Sequence, residues 1–279
     1  MPQALKMDPP DQDREFTFRD RDFRRIVELV RDTTGIALSD RKRDLVYSRL
    51  SRRIRKLGLE DFETYCGLLD GKSGEAECIE LVNAITTNMT SFFREAHHFE
   101  ILQNEVLPNL LKQPRVRIWS AGCSSGEEPY SIAMVLRDAL ERTPCPDAKI
   151  LATDIDTQVI EKARNGLYRE DLLDPVPLNL RRKYASGRET CEMSDEVRSL
   201  ISFKQLNLLS TWPMKGPFDV IFCRNVVIYF EKPTQRILFE KFASLMRPGG
   251  WLVIGHSESL LGISDAFRHV GRTCYQRLT

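Results

Sequence analysis

Residues 115–142 read RVRIWSAGCSSGEEPYSIAMVLRDALER. The apolar run at 115–120 predicts a buried strand, 121–126 a tight turn of small residues with two glycines, and 127–142 a helix. The same arrangement recurs: AKILATD (148–154) leads into a helix from Thr157, and FDVIFC (218–223) is followed by a helix beginning near Pro233. Pro248-Gly249-Gly250 then precedes the strand WLVIGH (251–256), and TCYQRL (273–278) is the predicted last strand. Short apolar strands alternating with helices predict a mostly parallel sheet, the doubly wound α/β plan.

In such a sheet ligands bind beyond the carboxyl ends of the strands, so the residues at those ends are the candidates. The turn after the first strand lacks the full GxGxxG pattern, and Glu127 and Glu128 follow it directly. Two acids at a helix start repel a pyrophosphate but suit a cation. Asp154, at the end of the second strand, can accept both hydroxyls of a ribose, while Asp156 suits the cap of the next helix. Together these residues point to an adenosine cofactor without phosphate, and S-adenosylmethionine fits. Its ammonium could meet Glu128. The third strand runs straight into Arg224-Asn225, polar groups whose unpaired burial is costly, so they are expected to face a cleft or to be salt-bridged.

Ahead of the sheet, residues 16–90 predict an all-helical segment. Phe23, Ile26, Val27 and Val30 stand at helical spacing before Gly35, and Val46, Leu50, Ile54 and Leu57 form a second stripe before Gly58. Ser39 or Asp40 can cap that second helix; two more follow, over 62–69 and around Ile79 to Ile85. Residues 1–15 are expected to be a disordered leader without the apolar core of an export signal. The charged stretch at 170–205, with Pro175, Pro177 and Gly187, predicts an inserted β-subdomain with small hairpins.

Composition narrows the function classes. The 279 residues carry 41 Lys+Arg against 40 Asp+Glu, a balance that argues against a globally basic nucleic-acid binder. Seven cysteines without a CxxC or close pair imply neither a disulfide framework nor a cysteine metal site, and suit the cytoplasm. No apolar run is long enough for a membrane span, and a monomer is expected. His97 and His98, adjacent on a helix, would point about 100° apart, so no metal site is expected.

Five runs in order resemble the bacterial chemotaxis receptor methyltransferases of the CheR type: TNMTSFFREAHHF (87–99), WSAGCSSGEEPYS (119–131), ATDID (152–156), FCRNVVIYF (222–230) and GHSE (255–258). The resemblance extends from about Phe18 to the last strand. It implies a small N-terminal all-helical domain followed by a class I S-adenosylmethionine-dependent, Rossmann-like methyltransferase domain over 91–279. It also implies a protein-glutamate O-methyltransferase that modifies chemoreceptor cytoplasmic helices and releases S-adenosylhomocysteine. Carried onto matching positions, Asn88, Thr90, Arg94, Glu128, Asp154, Asn207, Leu208, Arg224 and Asn225 would surround the cofactor, with Arg94 and Tyr229 beside the transferred methyl. Whether a receptor C-terminal tail peptide is also held by the inserted subdomain stays open.

The second helix is strongly basic. Projected at 100° per residue, Arg41, Arg49, Arg52, Arg55 and Lys56 lie opposite the apolar stripe, and Arg49, Arg52, Arg55 and Lys56 are the candidates for docking glutamate-rich receptor helices. A methyltransferase acting on a small molecule or nucleic acid is the first rival, although aromatics are not interleaved with the basic residues as single-strand stacking requires. A non-catalytic S-adenosylmethionine sensor and a nicotinamide dehydrogenase are the others. Arg94 and Tyr229 argue against the sensor, and the missing GxGxxG against the dehydrogenase.

Overall fold

The computed structural model describes residues 14–71 and 74–279, so the expected leader lies outside the described residues apart from Arg14 and Glu15. The described chain divides into two compact units, residues 14–33 with 37–71 and 74–86, and residues 34–36 with 87–279.

The first unit holds four α-helices: α1 (Asp20–Thr34), α2 (Arg43–Leu57), α3 (Phe62–Asp70) and α4 (Gly74–Ile85). Phe23, Ile26 and Val30 of α1 are buried, as are Val46, Leu50 and Ile54 of α2, so both stripes do what their spacing predicts. Leu57, the last member of the second stripe, is instead exposed. Gly58 ends α2 in the left-handed region at φ 66°, where a side chain would be strained. Ser39 makes no side-chain cap; a short 3₁₀ turn, Asp40–Lys42, leads into α2. Asp61 caps α3 by accepting from the Thr64 amide. Two acids are buried here, Asp22 of α1 and Glu77 of α4, and Glu77 takes a bidentate pair from Arg53 (2.8 and 2.6 Å) and the Tyr65 hydroxyl at 2.9 Å.

In the second unit α5 (His97–Ile101) continues through a π turn, Leu102–Val106, into α6 (Leu107–Leu110). Then come β1 (Arg115–Ala121), α7 (Glu127–Arg142), β2 (Asp147–Asp154), α8 (Thr157–Asn165) and β3 (Leu167–Arg169). They are followed by α9 (Leu178–Tyr184), β4 (Ala185–Gly187), β5 (Thr190–Met193), α10 (Asp195–Arg198), β6 (Ile201–Gln205) and β7 (Phe218–Cys223). The chain closes with α11 (Lys232–Ser244), β8 (Met246–Ile254), β9 (Phe267–Gly271) and β10 (Cys274–Arg277).

Seven strands form the main sheet in the order β6-β2-β1-β7-β8-β10-β9, with β6 to β8 parallel and β10 antiparallel to both neighbours. Two cores flank it. Successive residues of β1 alternate between them, Ile118 into one and Trp119 into the other, because side chains of a strand point to opposite faces.

The stretch expected to be inserted divides between two sheets. Its small antiparallel sheet is β3-β5-β4, whereas β6, expected within the insertion, pairs with β2 at the edge of the main sheet. An edge strand in which polar residues interrupt the apolar ones carries no continuous apolar run, which hides it from a reading of hydropathy. The helical segment ends before residue 90, since 87–90 belong with the second unit: Asn88 donates to Asp156 at 2.7 Å, and Ser124 Oγ donates to the Asn88 carbonyl at 3.1 Å.

Candidate active site at the strand ends

The strand order reverses between β1 and β7, and the carboxyl ends of these two neighbours make the crevice where such sheets bind ligands. The turn after β1 is held tightly there. Gly122 and Cys123 donate backbone N–H to the Thr153 carbonyl, each at 2.8 Å. Gly122 sits at φ 91° and a Cβ would lie 2.3 Å from Val226 Cγ2; Gly126, at φ 101°, would meet the Tyr168 hydroxyl at 2.5 Å. Both positions therefore need glycine, for backbone and for space.

Asp154 closes the turn from the other side. Its two oxygens accept the amides of Ser124 (2.8 Å) and Asp156 (3.0 Å), and it is 9% exposed. Burial raises its pKa despite those amides. Each oxygen keeps a further lone pair for a ligand hydroxyl. Asp156 caps α8 through the amides of Gln158 and Val159, as expected, and in addition holds Asn88. Beyond β6, Asn207 Oδ1 accepts from the Leu209 amide at 2.9 Å. The Leu208 carbonyl is pinned by Trp212 Nε1 (3.1 Å) and Lys241 Nζ (3.0 Å).

Arg224 is salt-bridged rather than open to a cleft. Its side chain is 2% exposed, with Nη1 3.1 Å from Glu128 Oε2 and Nη2 3.6 Å from Glu95 Oε1. Nη2 also donates to the Arg94 carbonyl. Glu128 accepts the Ser120 hydroxyl at 2.7 Å on its other oxygen, and burial raises its pKa. Two carboxylates against one guanidinium leave one unbalanced negative charge, an environment that favours a cation. Arg94 donates Nη1 to the Met89 carbonyl at 3.0 Å and is only half-buried, so its remaining N–H groups are available to a carboxylate. Thr90 is half-buried on the same loop, and Tyr229 ends the 3₁₀ turn Val227–Tyr229, also half-buried.

Glu258 received no role from the sequence, yet it builds this turn. Its carboxylate accepts the amides of Gly255 (2.6 Å), Asn225 (2.9 Å), Val226 (2.9 Å) and Ile228 (3.3 Å). Asn225 is thereby held in the left-handed region at φ 58°. The signal was a glutamate three residues beyond a strand-ending glycine, too generic to read without the fold. Glu95 and Ser120 were also missed, because only the fold brings them to Arg224 and Glu128.

The docking expectation needs one correction. Arg49 does not project freely from α2: Nη1 donates to the carbonyls of Ala84 (3.4 Å), Ile85 (2.5 Å) and Thr86 (2.8 Å), at the end of α4. The last carbonyls of a helix lack partners within it, and a projection along α2 alone could not show that α4 ends beside Arg49. Arg52, Arg55 and Lys56 are exposed, with Arg55 paired to Glu15.

Comparison with protein families matches residues 21–86 to "CheR methyltransferase, all-alpha domain" and residues 88–276 to "CheR methyltransferase, SAM binding domain". The chain is 46% identical over 261 residues to the "Probable chemotaxis protein methyltransferase" of Rhizobium etli, covering 90% of this chain and 97% of that one. It is 45% and 44% identical to the "Chemotaxis protein methyltransferase" of Salmonella typhimurium and of Escherichia coli, in each case over 92% of this chain and 90% of the relative. The second of the matched domains is one that binds S-adenosylmethionine, and Glu128 and Asp154, both expected to meet that cofactor, lie within it. With both family domains matched over nearly its whole described length, the chain belongs to the CheR methyltransferase family.

Proposed function

We propose that this S-adenosylmethionine-dependent methyltransferase of chemotaxis esterifies glutamate side chains on the cytoplasmic helices of chemoreceptors. The observation that carries the reading is Arg94: one N–H is committed to the Met89 carbonyl, and the rest of the fork has no partner among the described residues at the cofactor end of the sheet. A planar pair of N–H donors matches a carboxylate.

Bound S-adenosylmethionine supplies an electrophilic methyl on a sulfonium. Asn88, Thr90, Asp154, Asn207, Leu208 and Asn225 would hold its adenosine part, and Glu128, shared with Arg224, its cationic part. A glutamate carboxylate, with a pKa near 4.3, is ionised at neutral pH, so the chain need not provide a general base. Its task is to orient, and correct alignment is worth up to about 7–11 kcal/mol in favourable cases. Arg94 orients the incoming carboxylate, and Tyr229 packs or donates beside it.

Arg52, Arg55 and Lys56 on α2 steer glutamate-rich receptor helices by charge complementarity. The outer strands β3 and β4 each leave one edge unpaired by the small sheet, where a receptor tail peptide could add as a strand. The free cysteines, and the lack among the described residues of a helix long and apolar enough to cross a membrane, support a cytoplasmic site of action.

The test uses methyl-labelled S-adenosylmethionine with receptor cytoplasmic fragments. Base-labile label, the mark of a carboxyl ester, is expected with the native chain and lost with Arg94→Ala. In Arg52→Glu/Lys56→Glu, KM for the receptor should rise while cofactor affinity stays unchanged. Label that resists base would reject the glutamate reading.

A further inference from the structure

Glu95, His97 and His98 bring a carboxylate oxygen and two imidazole nitrogens within 4.8 Å of one another. We propose that these three residues form a binding site for a divalent first-row transition ion, Zn2+ foremost, which adjoins the cofactor site through the contact of Glu95 with Arg224. Two imidazoles and a carboxylate are a ligand set that zinc favours.

The buried half of the cluster carries the argument. His98 is fully buried, and its Nε2 lies 2.9 Å from the Arg272 carbonyl and 3.0 Å from Thr273 Oγ1. Thr273 Oγ1 gives its own proton to the Arg272 carbonyl at 2.7 Å, so it has none for the imidazole. Nε2 is therefore the protonated nitrogen, and Nδ1 presents a lone pair. That lone pair faces Glu95 Oε2 at 3.6 Å, and neither buried atom has a hydrogen-bond partner among the described residues. Two facing acceptors without a proton between them are costly to bury, and a cation removes the cost.

The outer contacts are those of a metal site. Tetrahedral zinc, with bonds of about 2.0–2.2 Å, sets its ligand atoms about 3.3–3.5 Å apart, close to the Glu95–His98 spacing. His98 donates its other nitrogen to a carbonyl, and Glu95 Oε1 is held by His256 Nδ1 at 2.9 Å; both fix ligand orientation from outside. His97 is only partly buried and can move to close the site, and its ring centroid stands 4.2 Å from that of His98. It lines an open depression of about 370 Å³ with His256, Arg272 and Thr273, which gives an ion access. Arg224 approaches only Oε1 of Glu95 and is also paired with Glu128, so the neighbourhood keeps one net negative charge. The ion's role is structural: it holds Glu95, His97 and His98 together at the start of α5.

The experiment titrates Zn2+ alone into the chelator-treated full chain by calorimetry, then repeats with Co2+ as a spectroscopic probe. One equivalent of zinc is expected, with four-coordinate cobalt bands in the visible and no sulfur-to-metal charge transfer. His97→Ala, at a partly exposed position that leaves the buried contacts intact, should weaken binding at least tenfold. His256→Ala should weaken it about 10–100-fold, the usual effect of losing an outer partner, and His269→Ala should leave it unchanged. No saturable binding, a cobalt spectrum with thiolate bands, or undiminished affinity in His97→Ala would overturn the proposal.

Discussion

Single carboxylates do most of the positioning in this site, and each does it differently. Glu258 meets no cation among the described residues; it gathers the amides of Gly255, Asn225, Val226 and Ile228 and so sets the turn that carries Asn225 and Tyr229. Gln keeps the shape but turns one acceptor into a donor facing amides. Glu258→Gln should therefore lower kcat/KM for methyl transfer about ten- to a hundredfold, from one unsatisfied buried group at about 1–3 kcal/mol. Far-ultraviolet circular dichroism should stay native, and a variant with unchanged kinetics would deny Glu258 this role. Glu128 is anionic because Arg224 and Ser120 compensate part of its burial, but its pKa remains raised. Protonation removes the negative charge that attracts the cofactor, so affinity is present above that pKa and lost as pH falls through it. The loss should begin above pH 4.5, the ordinary glutamate value. Calorimetric titration across the acid range checks this, and Glu128→Gln should bind weakly with a flattened pH dependence.

At the scale of elements, the turns between strand and helix matter more than the helices they join. Gly126 starts α7 at φ 101° with Tyr168 of β3 against it, so the cofactor turn and the small sheet are packed together. Tyr168 also donates its hydroxyl to the Ser125 carbonyl at 2.7 Å. Gly126→Ala must move both, and should cost cofactor affinity and at least about 1 kcal/mol of stability, the scale of a strained left-handed residue. Equilibrium binding and denaturant midpoints measure the two losses. On α2, Arg49 and its basic neighbours part company. Arg49→Ala uncaps α4 and should destabilise the chain by about 1–2 kcal/mol, with receptor KM unchanged; the opposite pattern is expected of Arg52 and Lys56.

Across the whole molecule, buried acids that resist ionisation are spread through both units. Burial pushes the thiols of Cys66 and Cys274 up to about 12, from an ordinary 9.0, and raises those of Cys123 and Cys223 as well. In the unfolded chain these thiols lose their protons near pH 9, whereas the folded chain keeps them. Stability is thus unaffected below pH 9 and falls as pH rises from there toward 12. Urea midpoints measured over the alkaline range should decline accordingly, and alkylating reagents should reach these four cysteines only on unfolding.

Runs such as RVRIWS and FDVIFC determined their own strands, because a buried parallel strand needs a continuous apolar run that few other structures use. The same holds for the stripes of α1 and α2 and for the glycine turn after β1, where spacing and small size are local properties. The ordered motifs made the methyl donor and the family readable as well. The strand β6 was not legible, since an edge strand with exposed Ser202, Lys204 and Gln205 has no hydropathy signature. Nor were the partners of charged groups: that Arg49 meets the end of α4, that Arg224 spans Glu128 and Glu95, and that Glu258 gathers four amides. Those contacts join residues far apart in the chain, and the compensation of a buried charge depends on what packing brings within hydrogen-bond reach. Local pattern determined which segments are buried; only the tertiary structure decided how their polar groups are satisfied.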